Sequence, residues 1–90
     1  MTDARAIAEK VRGCPGVAGL SGGLFGTVAT YLPGERLVGV AVHEEDVEIA
    51  IIARLGRPLP ALADEIRQAV SGLTGDRLVN VRIDDLEEIP

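Results

Sequence analysis

The chain has 90 residues, a net charge of −5 and 47% apolar residues. A chain of this length forms one domain with a thin core, and its apolar content excludes a disordered protein, because burial can offset the lost chain entropy. The acidic balance argues against nucleic acids and anionic membrane surfaces as partners, since both require a basic footprint. We therefore expect a single domain over residues 1–90.

The hydrophobic periodicity predicts helices and strands in the order αββββαβ. Asp3–Arg12 is an amphipathic helix that ends before Pro15, because proline disfavours helical geometry in the residue that precedes it. Four strands follow, which we place at Val17–Ser21, Thr27–Leu32, Leu37–Val42 and Val47–Leu55. A second helix begins near Pro60 and carries Leu62, Ile66, Ala69, Val70 and Leu73 on one stripe. The last strand is Leu78–Asp84.

A helix between the fourth and the last strand is a crossover connection, which places that helix on one face of the sheet. Both predicted helices are amphipathic, so we expect them to share this face. The predicted fold class is therefore α+β, a two-layer sandwich of two helices over a mixed sheet.

Alternation along the third and fourth strands assigns small residues to the sheet face away from the helices. Gly39, Ala41, Ala50 and Ile52 would form a shallow apolar patch there, to which a protein partner or a second copy could bind. Ala29 is a further candidate. The alternative is that small residues are simply tolerated on an exposed sheet. On the first interpretation, Ala50→Arg should disturb association and leave the core intact.

Candidate chemistry is sparse, because the chain has one His and one Cys. His43 is followed by Glu44, Glu45 and Asp46, a set that could bind a hard cation or a small ligand. A solvated hairpin turn is favoured instead, since no second His exists and adjacent turn residues point apart. Cys14 follows the end of a helix, where the dipole raises the pKa of a thiol, so we do not expect a nucleophile. We predict no catalytic residue, no metal site and no cofactor.

The sequence Gly23-Leu24-Phe25-Gly26 has the GxxG pattern with which some RNA-binding domains clamp phosphates. No basic residue lies between or beside these glycines in the chain, so a turn is the favoured interpretation.

The expected location is the cytoplasm. A single Cys cannot form an internal disulfide, and the residues Thr2 to Arg5 do not resemble the start of a signal peptide. The longest aliphatic run, Ile49–Ala53, is far shorter than the ~20 residues of a membrane-spanning helix. We therefore expect no direct membrane insertion.

Several short motifs, in this order and spacing, resemble the alkaline shock protein family, the envelope stress response proteins of Gram-positive bacteria. They are Ile7-Ala8, Pro15-Gly16-Val17, Leu20-Ser21-Gly22-Gly23, Gly39-Val40, Val47-Glu48-Ile49, Leu59-Pro60-Ala61-Leu62-Ala63, Ile66-Arg67-Gln68-Ala69-Val70 and Val79-Asn80-Val81-Arg82-Ile83. The resemblance implies a non-enzymatic, abundant cytoplasmic protein that associates with the envelope through a membrane-anchored partner and supports envelope homeostasis. With the predicted patch, it makes a self-associating or partner-binding module the leading hypothesis. The rival hypothesis is a small-ligand or metal-binding protein that uses the His43 to Asp46 turn and Cys14.

Overall fold

The computed structural model describes residues 3–23, 26 and 28–88, and these contain two helices and six strands. The elements are α1 (Ala4–Arg12), β1 (Val17–Leu20), β2 (Ala29–Leu32), β3 (Glu35–Val38), β4 (Val40–Val42), β5 (Asp46–Arg54), α2 (Leu59–Thr74) and β6 (Leu78–Glu87). The α+β class and the order of the elements are confirmed. The strand predicted over residues 37–42 is divided at Gly39, whose φ of +96° interrupts the extended backbone.

Helix α1 begins where the sequence provides a capping side chain. Asp3 has an extended backbone, and its carboxylate accepts hydrogen bonds from the amides of Arg5 and Ala6 at 3.0 and 3.3 Å. These amides would otherwise lack partners in the first helical turn. The buried stripe of the helix is Ala4, Ile7, Ala8 and Val11, as the periodicity predicts.

Strand β5 is the centre of the main sheet. Along one edge it pairs antiparallel with two strands placed end to end, β1 beside its C-terminal half and β4 beside its N-terminal half. Along the other edge it pairs in parallel with β6, from Asp46 opposite Leu78 to Arg54 opposite Glu87. This sheet is therefore mixed. Strands β2 and β3 form a separate antiparallel hairpin.

Both helices pack on the same face of the main sheet. Side chains from α1, from α2 and from alternate positions of β5 share one hydrophobic cluster. Its fully buried large members include Ile7, Val11, Val47, Ile49, Ile51, Leu62, Ile66 and Val70. Val79, Val81 and Ile83 of β6 are partly buried and pack against this cluster. The predicted arrangement of two helices on one face is confirmed.

The two helices are short or amphipathic. Within the described residues, neither α1 nor α2 is long and apolar enough to cross a membrane.

Candidate interaction surface

The predicted patch of Gly39, Ala41, Ala50 and Ile52 is not an open surface. Ala50 is 0% exposed and Ala41 is 4% exposed, and both pack with Val28 in a second small hydrophobic cluster. Gly39 is also buried, and only Ile52 remains half-buried. The expectation that these four residues form an exposed patch is therefore wrong for three of them. Their placement away from the helices was right, but the chain covers them itself.

Backbone hydrogen bonds hold this cover in place. The amide of Val28 donates to the carbonyl of Gly22 at 2.9 Å, and the amide of Gly39 donates to the carbonyl of Val28 at 2.8 Å. The hydroxyl of Thr30 donates to the carbonyl of Val40 at 2.7 Å. The bend at Gly39 thus returns the chain so that the segment entering β2 lies against β4. Sequence alternation contains no signal for a contact of this kind.

Polar groups surround Ile52, the remaining member of the predicted patch. The hydroxyl of Ser21 donates to the carboxylate of Asp84 at 2.8 Å. The guanidinium of Arg82 lies 3.6 Å from Asp84 and 3.9 Å from Glu48. These charges pair within the chain, so among the described residues Ile52 lies on a polar part of the sheet surface.

The His43 to Asp46 turn is tied to the start of β6. The amide of Leu78 donates to the carbonyl of Glu45 at 3.0 Å, and the side chain of Asn80 donates to the carboxylate of Asp46 at 3.2 Å. The guanidinium of Arg77 donates to the carbonyl of His43 at 2.8 Å. Among the residues that the structure describes, no group of three or more His, Cys, Asp and Glu side chains is placed to hold a metal ion. The visible contacts of the turn serve to position β6.

Cys14 lies in a surface depression between the end of α1 and α2. Its side chain is nearly buried, and its thiol donates to the carbonyl of Lys10 at 3.5 Å. Burial, with an added contribution from the negative charge of Glu65, raises the pKa of the Cys14 thiol above its ordinary value. The thiol is therefore protonated, and weakly nucleophilic, at neutral pH.

The glycine-rich loop acquires a basic neighbour that its sequence lacks. A guanidinium nitrogen of Arg36, which lies on β3, donates to the carbonyl of Gly26 at 2.6 Å. Ten residues separate the two in the chain, so inspection of the loop's immediate neighbours could not reveal the contact. Leu24 and Phe25, the central residues of the GxxG pattern, lie outside the described residues.

Strand β6 has the longest strand edge without a partner strand among the described residues. It is 10 residues long, and within the described residues it pairs with β5 alone. The leucines near its two ends are exposed, Leu78 to 71% and Leu86 to 45%. An edge strand presents a row of unpaired amides and carbonyls that can pair with another chain. Sequence reasoning identified this strand but not its position at an edge. Edge status depends on the order of strands in the sheet, which periodicity alone does not give.

Partial protection is visible along this edge. The guanidinium of Arg67, on α2, donates to the carbonyl of Val79 at 3.1 Å. The pairing with β5 shifts by one residue between Ile51 and Ile52, so Asp84 forms a bulge without an opposite residue in β5. The acidic residues Asp84, Asp85 and Glu87 follow Arg82 in the C-terminal part. Charges and bulges commonly protect an edge strand from pairing with another chain. Here they lie after Val81, so the segment from Leu78 to Val81 has no charged residue of its own.

No protein-family model matches this chain, and neither does any curated protein or solved structure. A functional proposal therefore depends on the residues and surfaces described above.

Proposed function

We propose that this chain is a non-enzymatic protein-interaction module that self-associates or binds a membrane-anchored protein partner. Its role, on the resemblance to alkaline shock proteins, is to support cell-envelope homeostasis from the cytoplasmic side. The observation that carries the proposal is the free edge of β6, a 10-residue strand that, within the described residues, pairs with a neighbouring strand on one side only. Addition of a strand to such an edge is a recurring mode of protein recognition.

The chemistry of the edge suits a protein ligand. Main-chain groups supply hydrogen bonds to any extended chain, and the exposed side chains of Leu78 and Leu86 add apolar surface at the two ends. The net charge of −5 disfavours nucleic acids and anionic lipids at this surface. A polypeptide strand is the occupant that uses both the backbone and the leucines.

Light scattering coupled to size exclusion, over a series of protein concentrations, tests self-association. We expect the mass to rise with concentration from the 9.4 kDa of one chain towards twice that value. For the partner branch, crosslinking in cells should join the chain to a membrane protein, and β6 should supply the crosslinked residues. A chain that stays monomeric at high micromolar concentration, and that crosslinks to no membrane protein, would contradict the proposal.

Metal analysis of untagged protein separates this proposal from the rival predicted from the sequence. Tight stoichiometric metal that is lost in His43→Ala would favour a metal-binding protein. We expect no bound metal in the wild-type protein, and His43→Ala should leave the oligomeric state unchanged. The described hydrogen bonds of His43 are made by its backbone amide and carbonyl.

A further inference from the structure

We propose that a second copy of this chain pairs antiparallel with β6 along its free edge, about a two-fold axis that passes through Val81. The two main sheets then form one continuous sheet with the helices of both copies on the same side. This inference rests on the proposed function and names its partner and its surface.

The backbone of β6 determines which groups are available for pairing. Alternate residues of a parallel strand point their amides and carbonyls to the same neighbour. The amide of Leu78 donates to Glu45, at the start of the pairing with β5. The backbone amides and carbonyls of Asn80 and Arg82 therefore also point towards β5. Those of Val79, Val81 and Ile83 point to the free edge. These three residues can form hydrogen-bonded pairs with a new strand.

Bulge and charge positions select the register. With Val81 opposite its own copy, Val79 of one copy faces Ile83 of the other, and Asn80 faces Arg82. A register centred on Arg82 would place two guanidinium groups directly opposite each other, which is destabilising. A centre further along the strand meets the bulge at Asp84, and a centre nearer Leu78 shortens the paired segment. The Val81 register gives the longest regular pairing.

Apolar packing supports the same register. Val79, Val81 and Ile83 already pack against the main core on the helix side of the sheet. Pairing about Val81 sets them beside the same three residues of the second copy. The result is a β-branched row that continues the core across the junction, and such cross-strand pairs stabilise sheets.

Two-fold symmetry supports the antiparallel orientation. A second copy related by a two-fold axis through Val81 and perpendicular to the sheet runs antiparallel to the first, and every contact along the junction forms twice. Parallel pairing would set the acidic ends of the two strands side by side. Arg67 donates to the carbonyl of Val79 at this edge, and on pairing it releases that carbonyl to the new strand.

Amide hydrogen exchange, followed by NMR in dilute and in concentrated samples of the full chain, tests the edge directly. In dilute protein the amides of Asn80 and Arg82 should exchange slowly, and those of Val79, Val81 and Ile83 should exchange fast. At high concentration the three fast amides should slow in proportion to the fraction of paired chain. A dimer that forms while they stay fast would overturn this inference and leave the proposed function standing. A chain that stays monomeric would overturn this inference together with the self-association branch of that function.

At the Asn80 position, Asn80→Glu should give a tighter dimer than Asn80→Lys, because the residue opposite is Arg82. General repulsion between acidic chains predicts the reverse order, since lysine lowers the net negative charge. Thermal unfolding in dilute protein serves as the folding control for both variants. If the lysine variant is the tighter one, pairing about Val81 is wrong.

Discussion

Replacing Gly39 with alanine tests why the strand predicted over residues 37–42 divides into β3 and β4. Gly39 has a φ of +96°, and a Cβ at this position would lie 2.6 Å from the Cβ of Leu20 and 3.2 Å from the carbonyl oxygen of Ala50. The backbone conformation costs an L-residue roughly 1–2 kcal/mol, and overpacking adds about 1–3 kcal/mol. We therefore expect Gly39→Ala to lower the free energy of unfolding by about 2–5 kcal/mol.

Two other glycines separate these contributions. Gly34 has a φ of +77°, and a methyl group at this position would have no atom within 4 Å, so Gly34→Ala should cost only about 1 kcal/mol. Gly19 has neither a positive φ nor a close neighbour, so Gly19→Ala should be nearly neutral. Urea unfolding followed by circular dichroism measures all three. A loss in Gly39→Ala no larger than that in Gly34→Ala would refute the crowding by Leu20 and Ala50.

Four further predictions use the same unfolding assay. Ala50→Arg should lower the free energy of unfolding by at least about 3 kcal/mol, because it places a charge in the buried cluster with Val28 and Ala41. Retained stability would show that the segment around Val28 opens readily. Ala61→Arg, at an exposed position, is the control. Asp3→Ala should cost about 1 kcal/mol through the lost helix cap, and an unchanged value would mean that water replaces it. Gly72→Ala, at an exposed position of α2 with open space around it, should add about 0.5–1 kcal/mol, unless the helix frays there. The pKa of the Cys14 thiol is raised in the folded state, so the unfolded state loses the thiol proton first, and the free energy of unfolding should fall as pH rises above the unfolded pKa. Cys14→Ser should remove that part of the pH dependence. In a separate assay, iodoacetamide should alkylate Cys14 more slowly than free cysteine.

The local sequence pattern was sufficient to predict the helices and to predict which residues of β5 face the core. The 3.6-residue period located Ile7 and Ile66 in the core, and the two-residue period located Ile49 there, because these signals depend only on neighbours in the chain. The cover of Ala50 by Val28 was missed, since it depends on a contact between distant segments. The break at Gly39 was missed for a related reason. Glycine permits a positive φ, but only the approach of Leu20 and β5, which leaves no room for a Cβ, makes glycine necessary here.

The candidate site was predictable only in part. A protein-binding surface was expected on the sheet, but it was assigned to a face, and the free surface is an edge. Composition and alternation describe faces, whereas edge status depends on the order of strands in the sheet. That order follows from the crossover through α2, which puts β6 beside β5 with no later strand to cover it within the described residues.

The position of β5 between three partners has a consequence for the nascent chain. During synthesis, β1 and β4 leave the ribosome before β5, whereas α2 and β6 leave it afterwards. Until α2 and β6 have emerged, one full edge of β5 is bare, and Ile49 and Ile51 lack the cover that α2 later supplies. Bare edges and exposed aliphatic residues make such intermediates prone to aggregation. The interval between the emergence of β5 and that of β6 is thus the one in which the nascent chain is most exposed to aggregation.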